Sequence, residues 1–134
     1  MHPLRRVREL PAPSFEQVAA VLAENVVFNS PLLVRPIVGR DAVARTIVQS
    51  SRNRGDGDYV IETKLDDRTT FLRWTGKIDG RKLESFEILV DGPDGLLIER
   101  TIAYRPYPAL KLFREKMYAA LGDQLPADMW DYVD

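Results

Sequence analysis

Apolar residues recur at helical spacing in three stretches of the chain and alternate with polar ones in the long segment between the last two. Ser14, with Gln17 three residues later, opens a capping-box helix whose stripe of Phe15, Val18, Val21 and Leu22 runs to about Glu24. Val26-Val27-Phe28 then reads as a short strand stopped by Pro31, and Leu32 to Gly39 has no clear period. Asp41 is placed to cap a second helix, with Val43, Ile47 and Val48 on one face, ending near Ser50. The polar stretch from Arg52 to Asp58 contains two glycines and reads as a loop whose arginines are solvated. Four β-rich runs follow, Tyr59–Leu65, Thr69–Lys77, Lys82–Val90 and Leu96–Arg105, separated by turn residues. The last helix carries Leu110, Phe113, Met117 and Leu121 and stops at Gly122. Pro3, Pro11 and Pro13 make the first dozen residues a poor helix, so residues 1–13 are expected to form a flexible segment. The tail, 123–134, carries after Pro126 Met129, Trp130 and Tyr132 among three aspartates; it either docks as a short amphipathic piece or is disordered.

This order predicts a single α+β domain over 14–122, with helices covering one face of a mostly antiparallel sheet. Asp79-Gly80 is the strongest hairpin signal, because a two-residue turn with positive φ favours that dipeptide. Such a turn sets Trp74 opposite Ser85 and Leu72 opposite Glu87. One face then carries Leu72, Trp74, Ser85, Glu87 and Leu89. The other carries Phe71, Arg73, Thr75, Glu84, Phe86, Ile88 and Val90 and is also strongly apolar. The helices can cover only one of these faces. The outer one is expected to be buried by a second copy in a homodimer, or by the C-terminal tail of the same chain.

Composition narrows the chemistry. The 134 residues fit one domain, and 19 basic against 20 acidic residues leave a formal charge of -1. That balance gives no pull towards nucleic acid or an acidic membrane. There is no cysteine, and the one histidine, His2, stands in a terminus expected to fray. Thiolate nucleophiles, disulfides and Cys/His zinc sites are thereby excluded, as is a Ser-His-Asp triad unless His2 is buried, and no acidic cluster has metal-ligand spacing. Arg5, Arg6 and Arg8 lack the apolar stretch of a secretory signal, and no run reaches transmembrane length. A soluble cytoplasmic protein is the expectation, with chemistry left to Asp, Glu, Arg, Tyr, Trp and Ser or to a shaped apolar cavity.

Certain motifs add a resemblance. They are Val26-Val27-Phe28-Asn29-Ser30-Pro31 after the first helix, Gly39 opening the next, Trp74-x-Gly76 followed by Asp79-Gly80, Asp94-Gly95-Leu96-Leu97, and a strand running into Arg105-Pro106. In this order, across Ser14 to Leu121, the chain resembles the nuclear transport factor 2-like superfamily, which includes ketosteroid isomerases, SnoaL-like polyketide cyclases and limonene-type epoxide hydrolases. The resemblance implies a cystatin-like cone, a curved sheet wrapped around helices with an apolar pocket open at one end. It also makes function testable by position. Ser30-Pro31 stands where ketosteroid isomerases carry Asp-Pro, and serine alone is too weak a base to replace that aspartate. Glu87 matches the strand aspartic acid that donates a hydrogen bond to the oxyanion; on the Trp74 face, burial should raise its pKa. The family's spacing places Arg100 opposite Glu87. The two aspartates that flank an arginine in the epoxide hydrolases have no counterpart here.

The Glu87–Arg100 pair has two readings: a self-satisfying structural pair, or a polar anchor for a ligand at the bottom of an apolar pocket. The implied pocket residues are Phe28, Ser30, Leu72, Trp74, Ser85, Glu87, Leu89, Arg100, Ile102, Tyr104, Phe113 and Met117, with Tyr104 as the hydroxyl donor. By parity Arg105 points away from them. The leading expectation is binding of a small apolar molecule without a cofactor or metal. One alternative is an isomerase or cyclase using Glu87 as acid/base; another is a protein-interaction module.

Overall fold

A computed structural model describes residues 1–133. The elements are α1 (Pro3–Arg8), α2 (Phe15–Ala19), β1 (Leu22–Asn29), β2 (Ile37–Val38), α3 (Arg40–Asn53), β3 (Gly57–Asp66), β4 (Thr69–Ile78), β5 (Arg81–Asp91), β6 (Leu97–Arg105), α4 (Tyr107–Leu121) and α5 (Ala127–Trp130). The strands form one open six-stranded sheet in the order β2-β1-β6-β5-β4-β3. Every neighbouring pair is antiparallel except β1 with β6. The result is a single α+β domain.

The hairpin between β4 and β5 fixes the register of the sheet. Asp79 and Gly80 both take positive φ, 49° and 76°, the backbone that a twist-matched two-residue turn needs. Trp74 accordingly pairs with Ser85 and Leu72 with Glu87, as the sequence predicts. Leu72, Trp74, Leu83 and Leu89 are buried on the inner face. There they meet Val43, Ala44 and Ile47 of α3 and Phe113 and Met117 of α4 in two adjoining apolar clusters.

Four local expectations are corrected. Half of the first dozen residues, Pro3–Arg8, do form a helix, because Pro3 sits at its first position, where a missing N–H costs nothing, and the His2 ring accepts from the Leu4 N–H at 3.0 Å. His2 is 7% exposed and its other ring nitrogen lies 2.9 Å from Asp91 on β5. Secondly, α2 ends at Ala19 rather than near Glu24. Leu22 has already entered β1, where the Val21 carbonyl accepts from Leu97 N–H and Leu22, Val26 and Phe28 turn inward; sheet pairing overrides the helical spacing of Val21 and Leu22. Thirdly, α3 is opened by Gly39 at φ 107° with no side-chain cap, so Asp41 lies in its first turn, and the helix continues to Asn53.

The tail docks as a short piece, the first of its two expected forms, and the fourth correction concerns only the face it covers. Met129 accepts a backbone hydrogen bond from Val34 (2.8 Å), the Trp130 carbonyl accepts from Arg114, and the Trp130 ring stands edge-on to Tyr118 at 5.0 Å. The tail thus docks on α4 and the β1–β2 loop, so it does not cover the outer sheet face. On that outer face Ile88 is 41% exposed and Phe71, Phe86 and Val90 are half-buried. Glu84 lies there between Arg105 and Arg73, whose guanidinium groups hold its carboxyl below the ordinary range.

Candidate functional site

The Glu87–Arg100 pair exists, with a different register from the one expected. Glu87 faces Ile102 and Arg100 faces Leu89, because a register shift between Val90 and Asp91 absorbs part of the Gly92–Gly95 connection. The displacement is two residues, so both side chains stay on the inner face and meet on the diagonal. Arg100 Nε donates to Glu87 Oε2 at 2.7 Å, and the two residues are 2% and 1% exposed. Burial pushes the Arg100 pKa down, but the Glu87 carboxylate together with Tyr104 and Tyr59 outweighs it, and the guanidinium stays above its ordinary range. The same guanidinium lies 4.8 Å above the Phe28 ring.

Seven of the expected pocket residues meet around one cavity: Phe28, Ser30, Arg100, Ile102, Tyr104, Phe113 and Met117. Pro31, Leu32, Thr46 and Ser50 complete it. The cavity is only about 10 Å³, room for about one water. The cone is therefore closed in this conformation, in contrast to the open pocket expected. Leu72, Ser85, Glu87 and Leu89 lie behind the wall, fully buried, and do not border the cavity. Ser30 Oγ accepts from the Leu32 N–H at 3.1 Å, so it ties down the loop that closes the cavity. Tyr104 packs on Phe113 with ring centres 5.1 Å apart. Arg105 turns outward to Glu84, as parity requires. Thr46 and Ser50 were missed; the available signal was two hydroxyl residues four apart on the helix face that carries Val43 and Ile47.

Trp74 sits elsewhere. It lines a separate cleft of about 370 Å³ together with Arg8, Arg54 and Tyr59. Arg54, expected to be solvated, is half-buried with its guanidinium 4.3 Å over the Trp74 ring; Arg52 is exposed as expected. Two glycines, Gly57 and Gly76, pair across β3 and β4 beneath that ring.

No protein-family model matches the sequence, and no curated protein matches it. Solved structures do. A protein with a cystatin-like fold from Silicibacter pomeroyi DSS-3 is 23% identical, with a TM-score of 0.82 over 91% of this chain and 87% of the other. A nuclear transport factor 2-like protein from Burkholderia xenovorans LB400 is 11% identical, with a TM-score of 0.61 over 81% and 88%. The chain has the nuclear transport factor 2-like fold. A steroid delta-isomerase from Pseudomonas aeruginosa has the same cone at 20% identity and a TM-score of 0.77, over 83% of this chain and 82% of its own. At such identities the likeness is one of fold, and function has to be read from the site. Among the described residues no helix is long and apolar enough to cross a membrane.

Proposed function

We propose that this nuclear transport factor 2-like chain binds a small, mostly apolar molecule inside its cone, with Arg100 meeting the ligand's one polar group. The observation that carries this reading is the placement of Arg100. A fully buried guanidinium, held by Glu87, forms part of the wall of a cavity that also has the apolar side chains of Phe28, Leu32, Ile102, Phe113 and Met117 and the hydroxyl residues Ser30, Thr46, Ser50 and Tyr104. Apolar walls with a few convergent polar groups are the usual make-up of small-molecule sites. Because the cavity holds about one water, a ligand must displace a wall. The wall that moves is Pro31–Leu32, which also borders an outer groove of about 310 Å³ beside Trp130. Binding is favoured over proton transfer, since Glu87 is paired with Arg100 away from the cavity and Ser30 Oγ is engaged by the loop.

Prodan, a neutral naphthalene carrying a ketone, is a suitable probe. Its fluorescence should strengthen and shift to the blue on titration with the wild-type chain. Leu32→Ala, which thins the wall between cavity and groove, should bind it more tightly while keeping a native near-ultraviolet circular dichroism spectrum. No fluorescence response from either protein overturns the reading.

The same chain is proposed to form a homodimer through its outer sheet face. Ile88 is exposed there beside half-buried Phe71, Phe86 and Val90, and α5 docks elsewhere. Light scattering should give twice the monomer mass, and Phe86→Arg should halve it. A wild-type chain that scatters as a monomer removes the dimer.

A further inference from the structure

Arg8 closes α1 and is 4% exposed. Its Nη1 donates to the Ile47 carbonyl at 3.3 Å and to Ser50 Oγ at 2.7 Å. Its Nε and Nη2 are also buried and meet no acceptor among the described residues. Those two nitrogens form the side-on fork of a guanidinium, the pair whose spacing matches the two oxygens of a carboxylate. Two more unpartnered buried groups, Ser51 Oγ and Tyr59 Oη, belong to residues of the same cleft. Arg54, stacked on Trp74, adds a second positive charge.

Among the described residues no carboxylate answers these donors. Glu9 is bonded to Arg5, and Asp56 and Asp58 are exposed. Burial, reinforced by repulsion from Arg54 and Arg100, pushes the Arg8 guanidinium down to about 10. A buried cation with unmet donors is costly for a fold to keep without a counter-ion. Glu9, Asp56 and Asp58 also line the cleft, so the occupant should bear one negative charge, because a second would be repelled.

We propose that the cleft between α1, the end of α3 and the start of β3 is a binding site for a small organic monocarboxylate, which displaces the atoms that seal the buried Arg8 fork from the cleft and sets its two oxygens on it. Arg54 adds the second cationic contact, and Ser51 and Tyr59 supply hydroxyl donors. The cleft shares no lining residue with the cone cavity, although Arg8 adjoins that cavity through its bond to Ser50.

Titration calorimetry of the full chain with phenylacetate tests this, with 2-phenylethanol as the neutral isostere and inorganic phosphate as the dianion. Phenylacetate should bind and shift an arginine Nε–Hε resonance in the nitrogen-15 spectrum, while 2-phenylethanol should do neither. Arg8→Met should lose binding. Arg54→Ala, at the half-buried wall, should weaken it by about tenfold or more, the usual loss of a charge-assisted contact, and serves as the test if Arg8→Met does not fold. Prodan binding should be unchanged in Arg54→Ala, which separates this site from the cone. Absence of phenylacetate binding, equal affinity in Arg54→Ala, or tighter binding of phosphate overturns the proposal.

Discussion

Arg100→Met should destabilise the protein by about 3–5 kcal/mol in urea denaturation, the cost of leaving a carboxylate buried without its partner. Glu87 is 1% exposed and reaches Arg100 at 2.7 Å, so neither water nor a surface cation can take over. The double variant Glu87→Leu/Arg100→Met removes both charges and fills the space with apolar atoms; it should recover most of the loss. That pair of variants separates the two readings of the ion pair. If the pair only satisfies itself, prodan binds the folded double variant as it binds the wild type. If Arg100 meets the ketone, the double variant keeps its stability and loses affinity, and this is the expected result. A single Arg100→Met with wild-type stability would show that Glu87 is solvated, and both readings would then fall.

Much of this was legible in the sequence, for a definite reason. A two-residue Asp79-Gly80 turn permits one register, and the period of two along a strand carries parity from that turn into β6. Glu87, Arg100, Ile102 and Tyr104 therefore fall on the inner face even though the Gly92–Gly95 connection moves Arg100 by two places. What escaped was set by contacts distant in sequence. α1 is stabilised by His2 reaching Asp91, and α2 is cut short by β1 pairing in parallel with β6, a crossover that no local pattern announces. The cavity is small because Leu32 and the loop tied to Ser30 fill the mouth of the cone. Its size is a packing quantity, and hydrophobic spacing names the residues of a wall without saying how closely they approach. Arg54 reads as a solvated charge in the sequence and Arg8 falls in a segment expected to be flexible, and only the packing of α1 against α3 and β3 brings them to one cleft.

The Trp74-x-Gly76 motif has a steric basis that leads to the second large effect. Gly76 pairs with Gly57 across the β3–β4 ladder, and the indole lies over both. A Cβ on Gly76 would stand 2.3 Å from Trp74 Cη2 and 2.6 Å from the Asp56 carbonyl; one on Gly57 would stand 2.3 Å from Cζ2. Neither glycine has a positive φ, so the requirement is for space. Trp74 is 2% exposed, belongs to one apolar cluster with Leu32, Phe113 and Trp130, and carries Arg54 stacked on its ring, so relief of the clash has to shift the indole out of that packing. Gly76→Ala should therefore cost about 3 kcal/mol, at the upper end of what overpacking does. Gly80→Ala is the control, because its Cβ would meet open space and its cost, about 1 kcal/mol, comes from backbone conformation alone. In a Trp74→Leu background, Gly76→Ala should cost less, since the ring clash is gone and the Asp56 carbonyl contact remains. Equal costs in the two backgrounds would mean that the glycines make room for the neighbouring backbone, and the indole would lose its part in seating the cleft.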